Sequence, residues 1–236
     1  MNPVIRGPLY AVVPAAGVGQ RMKAGIPKQY LTLAGKTITE HTLQRLLSFA
    51  PIESVVVAVS ADDPWWPTLP VATHRRIHAV TGGESRADSV RNAVAQVLMD
   101  GGEDAWVLVH DMARPLVRLS DIQSLLAATT EQGAILGLPV VDTIKQAGAD
   151  QRIEKTLDRE FVWRALTPQL FPAAALYEAL SGDLAAVTDE ASAMERQGWR
   201  PALVAGHSDN IKITVPEDLP LARFYLARQF EEQGGL

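Results

Sequence analysis

The chain has no cysteine among its 236 residues. Disulfides, thiolate metal sites and cysteine nucleophiles are therefore excluded, and a reducing compartment is the natural reading. It has no excess of positive charge: the net charge is −5, which argues against a surface that coats nucleic acid and confines any anion site to a local basic pocket. No apolar run is long enough to span a bilayer. The apolar stretch near the N-terminus is broken by Pro14 too early for a signal peptide. A cytoplasmic protein with neither nucleic-acid nor membrane partners is expected. The histidines (His41, His74, His78, His110 and His207) show no metal-ligand spacing, and no G-x-S-x-G elbow marks a serine nucleophile.

What is present is ordinary for a globular chain: 47% hydrophobic and 21% charged residues, enough for a sizeable core. No repeat, low-complexity stretch or linker divides it, so one domain over 1–236 is expected. Buried strands are expected at 9–13 and 54–60, a shorter third strand at 76–80 and a fourth at 105–110, from their length and apolar, β-branched content. Helices are expected at 39–49, with Leu43, Leu46 and Leu47 on one face, and after Ser85, with Val90, Val94 and Val97 at helical spacing. Ser85 and Asp88 resemble a capping box. A further helix is expected from 120 or 121 to 130. The segment 62–70, with Trp65 and Trp66 among prolines, reads as a connection folding onto the body.

This alternation predicts an α/β fold: a Rossmann-like, mainly parallel sheet flanked by helices, with ligands beyond the carboxyl ends of the strands. The pattern changes at 134–145, a strand-like run. A polar turn at 146–151 and an alternating segment at 152–158 follow. Together they predict a β-hairpin arm over about 137–160 that projects. Two strands alone are marginal in water, so a second subunit to pack on is expected. Helices at 172–180 and from 188–190, a short strand at 202–205 and a C-terminal helix to about 230 complete the reading.

Three polar segments fall at the expected ligand edge. The first runs from Pro14 through Ala15, Ala16, Gly17 and Gly19 to Arg21, with Lys28 beyond. Small side chains let backbone N–H groups approach an anion closely. The segment fits neither G-x-G-x-x-G, because Met22 stands where the last Gly belongs, nor the G-x-x-x-x-G-K loop. Alone it serves equally as a tight strand-to-helix turn; the cations after it favour an anion site. The second holds Gly83, Glu84 and Ser89. Ser89 either bonds a ligand or is an ordinary first-turn residue. The third is Asp111 to Arg114. Asp111 either faces a metal or substrate or simply pairs with Arg114. Lys212, framed by Ile211 and Ile213, reads as inward-facing on a strand edge and in need of an anionic partner, or as an outward residue of an alternating strand.

The motifs P-A-A-G-x-G-x-R-M with P-K-Q-Y, G-G-x-x-R-x-D-S, V-H-D-x-A-R-P, D-T-x-K, L-T-P-Q, T-D-E-A-S-A and D-N-I-K-I-T-x-P-E-D occur here in that order. Over residues 9 to about 226 the chain resembles the 2-C-methyl-D-erythritol 4-phosphate cytidylyltransferases of non-mevalonate isoprenoid biosynthesis. The resemblance implies transfer of CMP from CTP to a polyol phosphate, with Mg2+ or another divalent cation, Asp111 being its candidate ligand. It implies catalytic Arg21 and Lys28 and a nucleotide site at Pro14, Ala15, Ala16, Gly17, Gly19, Gly83, Glu84 and Ser89. The polyol-phosphate site would hold Asp111, Met112, Arg114, Thr143, Arg159, Thr167, Thr188 and Lys212. It also implies a homodimer with interlocked arms, through which Thr143 and Arg159 complete the partner's site. Two positions depart from the family pattern. Met112 stands where a small residue is usual and is expected to narrow the pocket or shift a backbone contact, and Glu84 stands where Asp is frequent. Alternative readings are a cytidylyltransferase for a pentitol phosphate such as ribitol 5-phosphate, and a nucleotide-sensing module without turnover. An NAD-type Rossmann enzyme is disfavoured by the missing third glycine.

Overall fold

The apolar runs at 9–13, 54–60 and 105–110 are strands buried on both faces, which is why they read as continuous hydrophobic stretches, whereas the run at 76–80 is a mostly exposed edge strand. A computed structural model describes residues 2–17, 25–184, 187–232 and 234. In chain order come β1 (Leu9–Pro14), a small hairpin of β2 (Thr32–Leu33) and β3 (Lys36–Thr37), α1 (Ile38–Leu47), β4 (Ile52–Val59), β5 (Ile77–Thr81), α2 (Arg86–Gly101), β6 (Trp106–Val109) and α3 (Leu119–Ala128). The second half adds β7 (Ala134–Pro139), β8 (Ile144–Ala147), β9 (Ile153–Leu157), β10 (Trp163–Pro172), α4 (Ala173–Ala179), α5 (Glu190–Arg196), β11 (Ala202–Ala205) and α6 (Asp218–Glu232).

The central sheet has seven strands in the order β11-β7-β10-β6-β1-β4-β5. β5, β4, β1 and β6 run parallel, β11 runs parallel to β7, and β10 is antiparallel to both its neighbours. Alternate residues of each strand enter opposite layers. Ala11, Val13, Val55, Val57 and Leu108 pack with Leu43 and Leu46 of α1 and Ile122 and Leu125 of α3. Tyr10, Val12, Val56, Val107 and Val109 pack with Val90, Val94 and Val97 of α2 and Leu176 of α4. α6 closes a smaller cluster of Leu33, Ile38, Leu116, Ile213 and Ala222. α1 and α2 both begin with capping boxes, Thr37 with Glu40 and Ser85 with Asp88, which satisfy otherwise orphaned first-turn N–H groups. The 62–70 connection does fold onto the body: Trp66 is buried and Trp65 stacks on Tyr30.

Two features differ from the sequence reading. No strand was expected between the arm and the helix at 172–180, yet β10 fills that gap in the middle of the sheet. Pro168 hides it, because proline within a run argues against a central strand. The β7–β10 pairing shifts register between Ala165 and Gln169, so the ladder is interrupted where proline has no N–H to give. The Thr167–Pro168 peptide is cis. The run 134–145 is likewise two strands: β7 belongs to the central sheet, whereas β8 pairs only with β9 in a separate two-stranded arm.

This topology gathers the functional segments at one edge. The carboxyl ends of β1, β4, β5, β6, β7 and β11 open there. Because β10 is antiparallel and pairs Gln169 with Val109, residues 165–168 lie just past the end of β6.

Candidate active site

The loop after β1 is shaped from behind. Gln29 Nε2 donates to the carbonyls of Ala15 at 2.9 Å and Gly17 at 3.1 Å. Ser60 Oγ donates to the Ala16 carbonyl at 3.0 Å. In a trans peptide the N–H points opposite to the preceding C=O. Tying down the carbonyls of Ala15 and Ala16 therefore turns the N–H groups of Ala16 and Gly17 to the other side, the arrangement of an anion cradle. Gly82 brings the second loop against the first, since a Cβ there would lie 2.5 Å from Ala16 Cβ. Ser89 Oγ accepts from the Gly83 N–H and donates to the Ser85 carbonyl, both at 3.0 Å. This hydroxyl clamps the 83–85 turn. Lys28 Nζ reaches the Ile213 carbonyl at 3.0 Å, which ties the first loop to the segment carrying Lys212.

Two adjoining cavities follow. The first is lined by Pro14, Ala15, Ala16, Gly17, Lys28, Gly83, Glu84, Ser89, Asp111 and Met112, among others. The second is lined by Arg114, Thr167, Gln169, Thr188 and Asp189. Arg86, Asp111 and Lys212 form the wall common to both. The expected nucleotide residues among those described thus meet in one cavity, and Arg114, Thr167 and Thr188 meet in its neighbour. Gly19 and Arg21 lie outside the described residues. Thr143 and Arg159 are described but exposed on the arm and line neither cavity; Arg159 Nη1 donates to the Val141 carbonyl.

The shared wall is a charge cluster. Asp111 is 6% exposed. Its Oδ1 takes Arg86 Nε at 3.0 Å, and its Oδ2 takes Lys212 Nζ at 2.9 Å and Arg114 Nε at 3.3 Å. Burial alone would raise its pKa, but Arg86, Lys212 and Arg114 outweigh burial and hold the carboxyl well below the usual range. Lys212 thus has its anionic partner within the chain. It lies in an extended segment outside any strand, contrary to the strand edge the sequence suggests, because residues 211–214 pack beside Ala113 instead of joining the sheet. Arg114 Nη1 also donates to the Asn210 carbonyl at 2.7 Å, and Asn210 Nδ2 to the Thr167 carbonyl at 2.8 Å.

His110 is fully buried behind Asp111. Its Nε2 lies 2.9 Å from the Arg114 carbonyl, which can only accept, so Nε2 carries the proton and Nδ1 accepts from Thr167 Oγ1 at 3.0 Å. The same Thr167 hydroxyl accepts the Asp111 N–H at 3.1 Å. Burial lowers the His110 pKa to about 4, so the ring is neutral at pH 7 with both nitrogens committed. Met112 is buried, and its carbonyl accepts from Thr42 Oγ1 at 2.7 Å, which anchors the backbone the thioether was expected to disturb.

Among the described residues no group of three His, Cys, Asp or Glu side chains makes a metal site. Both oxygens of Asp111 already face cations. The protein residues alone do not fit a magnesium ion, which is commonly held by one or two carboxylates together with substrate phosphates.

Sequence reasoning missed Gln29, Gln169, Arg86 and Glu190. Gln169 donates to Asp189 Oδ2 and accepts the Ala191 N–H, each at 2.8 Å, fixing the start of α5 beside Thr188. Arg86 and Glu190 both stand inside the quoted motifs. Their pairing across 104 positions is invisible without the fold.

Residues 9–228 match the family described as 2-C-methyl-D-erythritol 4-phosphate cytidylyltransferase. A protein of that name from Vibrio vulnificus is 55% identical over 94% of this chain and 95% of its own length. One from Tolumonas auensis is 53% identical over 93% of this chain and 96% of its own. Among solved structures, the Francisella tularensis 2-C-methyl-D-erythritol 4-phosphate cytidylyltransferase superposes with a TM-score of 0.80 at 37% identity, covering 92% of this chain and 99% of that one.

Proposed function

The chain belongs to the 2-C-methyl-D-erythritol 4-phosphate cytidylyltransferase family, and from that membership we propose how its residues carry the reaction. The enzyme joins the phosphate of methylerythritol phosphate to CTP, giving 4-diphosphocytidyl-2-C-methyl-D-erythritol and pyrophosphate for isoprenoid synthesis. A phosphate oxygen of the polyol phosphate attacks the α-phosphorus of CTP. The bond from that phosphorus to the bridging oxygen breaks, and pyrophosphate leaves with the electron pair.

The observation that carries the assignment of subsites is the pair of cavities sharing one cationic wall. Two anions must approach each other, and the dominant requirements are neutralisation and alignment. The first cavity, with its N–H cradle and Gly83, Glu84 and Ser89, suits CTP. The second, with Arg114, Thr167 and Thr188, suits the polyol phosphate. Lys28 and Arg21 stabilise the charge that develops at the α-phosphate, and Lys212 bridges the two subsites. The nucleophile arrives as an anion and needs no strong base, which agrees with a neutral His110 whose nitrogens are both occupied. A magnesium ion would be held chiefly by substrate phosphates, because both Asp111 oxygens are engaged by cations, and the chemistry it would supply is neutralisation of phosphate charge.

The enzyme is a homodimer through its arms. Support comes from the large apolar side chains that the arm and its base leave exposed, Val141, Ile153 and Phe161, and from Thr143 and Arg159, which line neither of the two cavities. No helix among the described residues is long and apolar enough to cross a membrane, and the place of action is the cytoplasm. The test is pyrophosphate release from CTP and magnesium with methylerythritol phosphate or ribitol 5-phosphate. Release with the first and little with the second is expected; preference for ribitol 5-phosphate would reassign the second cavity.

A further inference from the structure

Arg86 is the side chain that physically joins the two cavities. It starts α2, directly after the segment assigned to the nucleotide. Its Nε donates to Asp111 at the end of β6. Its two terminal nitrogens clamp Glu190 in a fork, Nη1 to Oε1 at 2.6 Å and Nη2 to Oε2 at 3.1 Å. Glu190 is 1% exposed, in the first turn of α5, and lines neither cavity. It therefore has no route to a ligand of its own.

A buried carboxylate is costly unless it is paired. Here the pairing fixes both the plane and the position of the guanidinium, because a fork-to-fork contact permits little rotation. With the plane fixed, Nε is aimed at Asp111. On the other side, Gln169 holds Asp189 and the Ala191 N–H. The start of α5, and with it Thr188, is thus pinned between β10 and Arg86.

We propose that Arg86 and Glu190 are a positioning pair that joins the subsites: they hold Asp111 and the start of α5 in place for the polyol phosphate, beside the nucleotide seat at the start of α2. This rests on the subsite assignment above. The pair governs capture of the second substrate and leaves intrinsic nucleotide affinity largely alone, since the cradle at 15–17 is held independently by Gln29 and Ser60.

The test uses Glu190→Gln, which keeps the shape and removes the charge, and Arg86→Lys, which keeps the charge and removes the fork. CTP affinity is measured by calorimetry without the second substrate. KM for methylerythritol phosphate is measured at saturating CTP by pyrophosphate release. We expect the CTP dissociation constant to stay within about threefold and KM to rise by about tenfold in each variant. The double variant should be about as impaired as the worse single one, because contacting partners act as a unit. A CTP affinity that falls as far as KM rises, an unchanged KM, or additive losses in the double variant would each overturn the proposal. If Glu190→Gln does not fold, the same two measurements on Arg86→Lys decide. Absence of pyrophosphate release by the unaltered enzyme with methylerythritol phosphate refutes the substrate assignment, whereas turnover by that enzyme with an unshifted KM in the variants refutes only the pair.

Discussion

The wall around Asp111 and the arm of β8 and β9 are opposites in construction. The wall is finished before any ligand arrives. Its carboxylate touches three cations, its histidine is satisfied at both nitrogens, and α5, β10 and the segment at 209–212 all converge on it. The arm has one ladder of its own, exposed apolar side chains, and Thr143 and Arg159, which line neither of the two cavities. In the proposed dimer a second copy resolves the difference: half of the polyol-phosphate site would be rigid and intramolecular, and the other half would be delivered by the partner's arm.

Asp111 is the residue on which the wall depends most. Asp111→Asn leaves Arg86, Arg114 and Lys212 facing one another without their anion, and should cost about 3–5 kcal/mol in denaturant unfolding, the range for removing one partner of a buried ion pair. A loss below about 1 kcal/mol, the scale of a surface pair, would show that the wall is not a unit.

The same contrast can be drawn with protons. The folded state holds His110 neutral, with a pKa of about 4 against about 6.5 in the unfolded chain. Between those values the unfolded chain binds more protons, so stability falls as pH drops from about 6.5 to about 4, by up to about 3 kcal/mol. Asp111 adds little slope in that window, because its folded pKa is depressed and its unfolded value of about 3.9 lies at the lower edge, so its slope falls below. Its stabilisation is fully present above the unfolded carboxylate value and is lost only at lower pH. His110→Asn should flatten the slope between pH 6.5 and 4 relative to the unaltered protein. An unchanged slope would show that the ring is not held neutral.

The arm should behave in the reverse manner. Phe161 is 82% exposed, so Phe161→Ser should alter the stability of the single chain by no more than about 0.5 kcal/mol. Sedimentation should nevertheless show a shift from dimer to monomer. A stable dimer in that variant would place the interface elsewhere.

Much of this was legible in the sequence, and the unread parts share a cause. The buried strands β1, β4 and β6 announce themselves by apolar run length, and the loops at their ends by glycine and charge. β10 is concealed by Pro168. The identity of Asp111 as a candidate was readable from its place at a strand end, but not its partners, since Arg86 and Lys212 come from distant elements that only the sheet order brings together. Ser89, a candidate ligand contact, is also the clamp of its own loop, a role set by Gly83 and Ser85 within hydrogen-bond reach. Gln29 and Gln169 stand inside the P-K-Q-Y and L-T-P-Q motifs, but their roles were unreadable: a glutamine that holds backbone groups of another segment looks like any surface glutamine until the segments are folded together.

The division of the site between two chains is tested most directly by mixing two defective enzymes. Lys28→Ala removes a cation of the wall side, and Arg159→Ala removes the arm's. Each homodimer should be nearly inactive. In a mixed dimer, the subunit retaining Lys28 receives the intact arm of the Lys28→Ala subunit, so one complete site reappears. After joint refolding of equal amounts, half of the dimers are mixed and each has one good site of two, so activity should return to about a quarter of the unaltered level. With both residues acting in one chain, every site in the mixture stays defective, and no recovery on mixing would contradict the account.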